Sequence, residues 1–204
     1  MRCWIVMLGL WVGLHHSAAA KPIIALQPLG EIAAKDIEAA RAGILAVYEV
    51  EVRVVPTLKL PKAAYYPPRS RYRAEKLLDF LAEDHGLEFE PAKIVGLAAV
   101  DISTTKGEVD DWGVLGLGTL DGRTCVISTF RLGARKATRE KKIERLIKVV
   151  NHEIGHTFGL DHCPTPRCLM EDAKGTIATV DAEDGGFCEA CRLRLGKALK
   201  TPAP

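Results

Sequence analysis

The sequence has no strong excess of charge of either sign. Lys plus Arg number 28 against 26 acids, a formal net charge of +2. A chain so close to neutral lacks the basic field that draws proteins to nucleic acid, so no nucleic-acid partner is expected. There is no internal repeat and no low-complexity tract, which excludes solenoid and compositionally disordered architectures. No apolar run is long enough to cross a bilayer. Trp4–Leu14 has eleven residues, and a spanning helix needs about 20.

That run belongs to a distinct N-terminal segment. Arg2 supplies a positive start, and Ser17, Ala18, Ala19 and Ala20 form a small-residue stretch suited to cleavage. This is the layout of a secretory signal peptide over residues 1–20. The chain is therefore expected to be exported, periplasmic or secreted, with no stable membrane anchor after cleavage. Cleavage removes Arg2 and no acid, so Lys plus Arg falls from 28 to 27 against 26. Cys3 leaves too, and Cys125, Cys163, Cys168, Cys188 and Cys191 remain. An odd number in an exported chain argues against a simple disulfide framework. No long pro-segment is visible between Ala20 and the first strand pattern.

What is present is the balance of a globular protein, 48% apolar and 26% charged. Residues 21–204 suit one domain with two lobes, about 21–159 and 160–204. Ile23–Leu26 reads as a buried strand that stops at Pro28. A helix over 36–50 follows, then a strand over 50–55 in which Val50, Val52 and Val54 alternate with Glu51 and Arg53. Residues 56–71 carry four prolines and read as a loop. A helix over 72–84 precedes an inner strand over 93–101. Residues 112–120 are apolar with Gly113, Gly116 and Gly118. Asp121-Gly122 is a two-residue hairpin signal leading to a strand over 124–130. The longest helical pattern runs over 138–158, with Ile143, Leu146, Ile147, Val150, Ile154 and Phe158 on one side. This order predicts an α/β or α+β fold, a mixed, mostly parallel sheet covered by helices.

The last helix carries the chemistry. His152 and His156 are four apart and so project from one face, close enough for two imidazoles to reach one zinc ion at about 2.0–2.1 Å. Glu153 stands beside the first histidine. Zinc lowers the pKa of water to about 7, and a neighbouring carboxylate can take the proton. A bare His-Glu-x-x-His could still be a solvated face. Gly159, however, sits where the helix must end and the chain turn, which suits glycine. His162 can then approach the same ion from a new direction. Three neutral nitrogens with an open fourth position describe a catalytic zinc site.

Cys163, Cys168, Cys188 and Cys191 follow directly. Cys-x-x-Cys is a zinc-knuckle spacing, and four thiolates would make a closed, structural site at about 2.3 Å per bond. Two disulfides are the alternative in an exported chain. A nucleic-acid zinc ribbon is the weaker reading, because the basic tail from Arg192 to Lys200 is more simply a solvated helix face. Cys125 is expected to be a buried, inert thiol.

The run His152, Glu153, His156, Gly159, His162, Cys163, Cys168, Met170, Cys188, Cys191 resembles the extended zinc signature of the archaemetzincins, also called archaelysins, a family of the metzincin clan of metallopeptidases. Every spacing of that pattern is met over about 40 residues. The resemblance implies a metzincin-like twisted sheet with an active-site helix and a small irregular C-terminal lobe. It implies a catalytic zinc on His152, His156 and His162, with Glu153 as general base. Met170 would form the methionine turn beneath the metal, and the four cysteines would hold a second, structural zinc. Residues 112–120 would resemble the antiparallel edge strand along which an extended peptide or protein substrate adds. The chain has no tyrosine after Tyr72, so no tyrosine near the methionine turn is available to stabilise a transition state. The expectation is a monomeric zinc metallopeptidase. The alternative is a zinc-binding protein of the same fold with little or no peptidase activity.

Overall fold

A computed structural model describes residues 20–199. The signal-peptide expectation falls on residues 1–20, and residues 1–19 lie outside the described part. Among the described residues no helix is long and apolar enough to cross a membrane.

The chain runs β1 (Ile23–Leu29), α1 (Ala34–Val47), β2 (Glu51–Val54), β3 (Tyr65–Tyr66), β4 (Arg71–Arg73), α2 (Ala74–Ala82), β5 (Lys93–Ala98), β6 (Ile102–Lys106), β7 (Val109–Val114), β8 (Gly116–Gly118), β9 (Thr124–Ser128), α3 (Arg139–Thr157), α4 (Ile177–Ala182) and α5 (Glu189–Ala198). Five strands form one sheet in the order β2-β1-β5-β9-β8. The first four are mutually parallel and β8 is antiparallel to β9. This is the mixed, mostly parallel sheet that the element order predicts.

Both faces of the sheet are covered, which is why its inner strands are near-continuous apolar runs. Within β1, Ile24 and Leu26 join the core that contains α1 and α3, whereas Ala25 and Leu29 join the one that contains α2. The period of two along the strand divides the molecule into these two cores. The larger one continues into the C-terminal lobe through Leu160, Leu169, Met170 and Phe187.

Three local expectations are corrected. Pro28 does not end β1 but pairs in register with Leu97 of β5. Its carbonyl accepts from the Leu58 N–H at 3.0 Å, and its nitrogen faces the same side. There β2 has already ended, so no ladder donor is missed. The Asp121-Gly122 connection is longer than a two-residue hairpin. Thr119 N–H still bonds Thr124 at 3.0 Å, so residues 120–123 form the loop, with Asp121 at φ 53°. Residues 56–71 are not simply a loop, because β3 lies there and pairs with β4.

A second sheet, β3-β4-β6-β7, has no counterpart in the sequence reading. Its strands are polar, and β7 is mostly open to solvent. Ile102, Tyr72 and Val114 anchor it on the α2 core, and charged pairs brace the rest. Arg71 bonds Asp101 at 2.8 Å and Asp111 at 3.1 Å, and Arg131 bonds Asp101 at 2.6 Å. Hydrophobic alternation cannot reveal such strands.

The predicted helix over 138–158 is α3, with Thr138 as its N-cap accepting from Lys141 N–H at 3.3 Å. Arg145 is buried within it. Its guanidinium grips Asp181 of α4 with two bonds of 2.7 Å and donates to the Leu132 and Ala134 carbonyls at 2.7 and 2.9 Å. It thereby clamps the C-terminal lobe onto α3. The guanidinium holds the Asp181 carboxyl down at about 2, against an ordinary value of about 3.9. A depressed carboxyl stabilises the fold above its unfolded value and loses that contribution as pH falls through the folded one. Replacing Arg145→Met is expected to destabilise by about 3–5 kcal/mol, since it strands a carboxylate and two carbonyls. In urea titrations, the stability gap between wild type and Asp181→Asn should be constant above about pH 4 and shrink toward pH 2. A gap that widens on acidification would refute the clamp.

Candidate metal centre

The end of α3 is built to turn the chain back. Leu160 N–H bonds the Gly155 carbonyl at 3.0 Å and Gly159 N–H bonds the His156 carbonyl at 2.9 Å, with Gly159 at φ +78°. These are the paired bonds of a Schellman motif, and the left-handed residue is the glycine the sequence places there. Further donors reach the last turn. Asp121 N–H bonds His156 O at 2.9 Å and Lys93 Nζ bonds Thr157 O at 2.6 Å. The turn delivers His162 to the open side of the two helical histidines.

The three imidazoles converge, with their candidate ligand nitrogens all within 4.8 Å of one another. His152 Nδ1 lies 2.6 Å from the Leu169 carbonyl, and His156 Nδ1 lies 2.7 Å from the Leu160 carbonyl. A carbonyl only accepts, so both Nδ1 atoms carry the hydrogen. The two Nε2 atoms then present lone pairs to each other across 3.1 Å. Protonation is not the remedy. Burial, and secondarily the neighbouring His156, pushes His152 down to about 3, and burial also lowers His156. A shared cation satisfies both lone pairs. Tetrahedral zinc with bonds of about 2.05 Å separates its nitrogens by about 3.3 Å, so these residues fit the ion that the histidine spacing predicts.

Glu153 is buried between α3 and β8. Burial lifts its carboxyl to about 8, and a bond from the Gly118 backbone partly offsets this. A Cβ at Gly116 would stand 2.6 Å from Glu153 Cγ, and one at Gly118 2.6 Å from the Glu153 carbonyl. The glycines of β8 let the edge strand lie against the catalytic helix. The sequence shows those glycines but not what they face.

Met170 is fully buried. Its sulfur lies 2.5 Å from where a Cβ would stand on Gly155. Gly155 is therefore a packing glycine that opens room for the methionine under the histidines. The same turn supplies the Leu169 carbonyl for His152, and the Met170 carbonyl accepts from Cys163 N–H at 2.7 Å. Sequence reasoning missed the roles of the Leu160 and Leu169 carbonyls, because a backbone acceptor leaves no mark on residue type.

The four cysteines also come together, all sulfurs within 4.8 Å. Cys163 and Cys188 are 3.7 Å apart, and Cys168 and Cys191 are 3.8 Å apart. Disulfide sulfurs would be about 2.05 Å apart. Zinc bonds of about 2.3 Å would place tetrahedral sulfurs about 3.8 Å apart, so the cluster has the dimensions of a metal site. Backbone N–H groups of Cys188 and Thr165 point at the sulfurs of Cys168 and Cys163, at 3.3 and 3.5 Å. Cys125 stands apart, fully buried, its thiol pushed up by burial.

A three-histidine cluster with a buried glutamate, on the helix beneath a mixed sheet, defines the zinc-dependent metallopeptidase class. Comparison with known proteins agrees. Residues 35–197 match Peptidase family M54. The archaemetzincin of Haloquadratum walsbyi is 32% identical over 180 residues, 85% of this chain and 99% of that protein. That of Methanopyrus kandleri is 35% identical over 142 residues, 70% and 75% of the two chains. The crystal structure of the Methanopyrus kandleri archaemetzincin superposes with a TM-score of 0.76 at 29% identity, covering 90% of this chain and 98% of that one. The Archaeoglobus fulgidus archaemetzincin superposes with a TM-score of 0.69 at 28% identity, covering 84% and 99%. The chain belongs to Peptidase family M54, the archaemetzincins. It is a zinc metallopeptidase, and the reading as a non-catalytic zinc protein is not favoured.

Gly155→Ala is expected to lower stability by about 1–3 kcal/mol, because the added methyl has no room against sulfur. Combining it with Met170→Ala should recover part of that loss. Additive losses in this double-mutant cycle, read by thermal melting, would show that the two residues do not share the space.

Proposed function

We propose that His152, His156 and His162 hold the catalytic zinc, that Glu153 is the general base, and that the four cysteines hold a second, structural zinc. The observation that carries this is the pair of imidazole lone pairs facing each other across 3.1 Å, beside a buried carboxylate. Bound zinc supplies Lewis acidity, making water nucleophilic near neutral pH and polarising the scissile carbonyl.

The chain's own residues do the rest. The Leu160 and Leu169 carbonyls keep the imidazoles neutral and aimed. Glu153 takes a proton from the attacking water and passes it to the leaving nitrogen as the carbon–nitrogen bond breaks. Substrate lies extended along the free edge of β8, antiparallel to it, and adds a strand to the sheet. That reading is supported by β8 being the terminal, antiparallel strand beside the histidines. The peptidase acts on exported or extracellular peptides, a proposal supported by the leader pattern of residues 1–20. Protein recovered after expression in its host should begin near residue 20 or 21 on N-terminal sequencing.

Metal analysis of the purified protein is expected to give two zinc ions per chain, with His152→Ala losing one and retaining the other. Glu153→Ala should keep both ions and lose at least about 100-fold in peptide hydrolysis. One zinc in wild type, or undiminished cleavage by Glu153→Ala, would overturn the respective assignment.

A further inference from the structure

The cavity of about 380 Å³ that contains the three histidines does not stop at them. It extends along α3 toward the helix N-terminus, where Lys148, Val149, Val180 and Glu183 form its wall. Lys148 is one helical turn before His152. Its ammonium is fully engaged, donating to the Val180 carbonyl at 3.0 Å and the Glu183 carbonyl at 2.7 Å and pairing with Glu144 at 2.9 Å. Three donors meet three acceptors. The side-chain carboxylate of Glu183 receives none of them.

Glu183 is only 6% exposed. Among the described residues no hydrogen bond or ion pair closes on its carboxyl group, which burial lifts to about 8 although the nearby Lys148 ammonium acts the other way. Asp181 and Asp101, by contrast, are matched by Arg145 and by Arg71 and Arg131. A largely buried carboxyl group whose oxygens have no bonded partner can take one from a ligand that enters the cavity. This one borders the cavity where substrate is to lie. Val149, Val180 and Leu115 make the adjoining wall apolar, which suits an aliphatic stem ending in a cation.

The strand geometry says which part of a substrate enters. Gly116 faces the Glu153 side chain, whereas Gly118 faces the Glu153 carbonyl and His156 Cβ. β8 therefore runs alongside α3 in the same sense. A peptide antiparallel to β8 runs back toward Leu115 and places the residue after the scissile bond at the Lys148–Glu183 end.

We propose that Glu183 is the specificity-determining residue of this peptidase, selecting substrates with lysine or arginine immediately after the scissile bond. The proposal rests on the reading that substrate adds along β8. The test uses two acetylated hexapeptides identical except for lysine or norleucine at that position. Binding is measured by calorimetry on zinc-loaded full-length Glu153→Ala protein, with and without Glu183→Gln. The lysine peptide should bind at least about ten-fold more tightly, the effect of one charged hydrogen bond in a buried pocket. Glu183→Gln should abolish that difference. Glu183→Leu, a second variant in case the amide disturbs the fold, should reverse it toward norleucine. Equal binding of the two peptides, or a lysine preference that survives either substitution, overturns the proposal. Cleavage by wild-type protein is scored separately. If neither peptide is cleaved but lysine is still preferred in binding, the hydrolytic mechanism fails and the pocket assignment holds.

Discussion

Two imidazoles whose Nδ1 hydrogens are committed to backbone carbonyls confront each other through their other nitrogens at 3.1 Å. That confrontation has no resolution within the protein, and much of the neighbouring structure serves to impose it. The Schellman turn at Gly159 brings the Leu160 carbonyl to His156 and sends the chain back so that His162 joins. The turn through Met170 brings the Leu169 carbonyl to His152. Pre-set neutral rings with fixed tautomers bind a metal ion without first losing protons or rotamer freedom.

The C-terminal lobe illustrates a related constraint. It has two short helices and few large apolar side chains, and it must hold the loop that orients His152. Two devices fasten it. One is the Arg145–Asp181 clamp onto α3, and the other is the four-sulfur cluster, which would tie residues 163–168 to the start of α5 through the proposed structural zinc. A small lobe with little core of its own depends on such fastenings. α3 is thus held from both sides, by the sheet above and by the clamped lobe below.

The cavity wall adds a second electrostatic asymmetry. Lys148 is saturated by two carbonyls and Glu144, while Glu183, buried beside it, is left unmatched. The acids that brace the second sheet are paired instead, as in the Arg71–Asp101–Arg131 cluster. The Glu183 carboxyl group lines the same cavity as the three histidines, which is the ground for its proposed role in substrate selection.

The sequence alone determined which histidines converge. His152, Glu153, His156, Gly159 and His162 lie within eleven residues, where helix geometry and one glycine turn suffice to place side chains. The parallel sheet was legible for the same kind of reason, because strands buried on both faces are written as apolar runs. The tertiary structure alone decided what lies between distant segments. The second sheet is braced by Arg71, Asp101, Asp111 and Arg131, whose residue types are common on any surface. The glycines of β8 acquire their role from Glu153, and Gly155 from Met170. Glu183 becomes notable only once Lys148, thirty-five residues earlier, is seen to be satisfied without its carboxylate. Local geometry follows from spacing along the chain, whereas burial and charge pairing are set by segments that meet only when the protein folds.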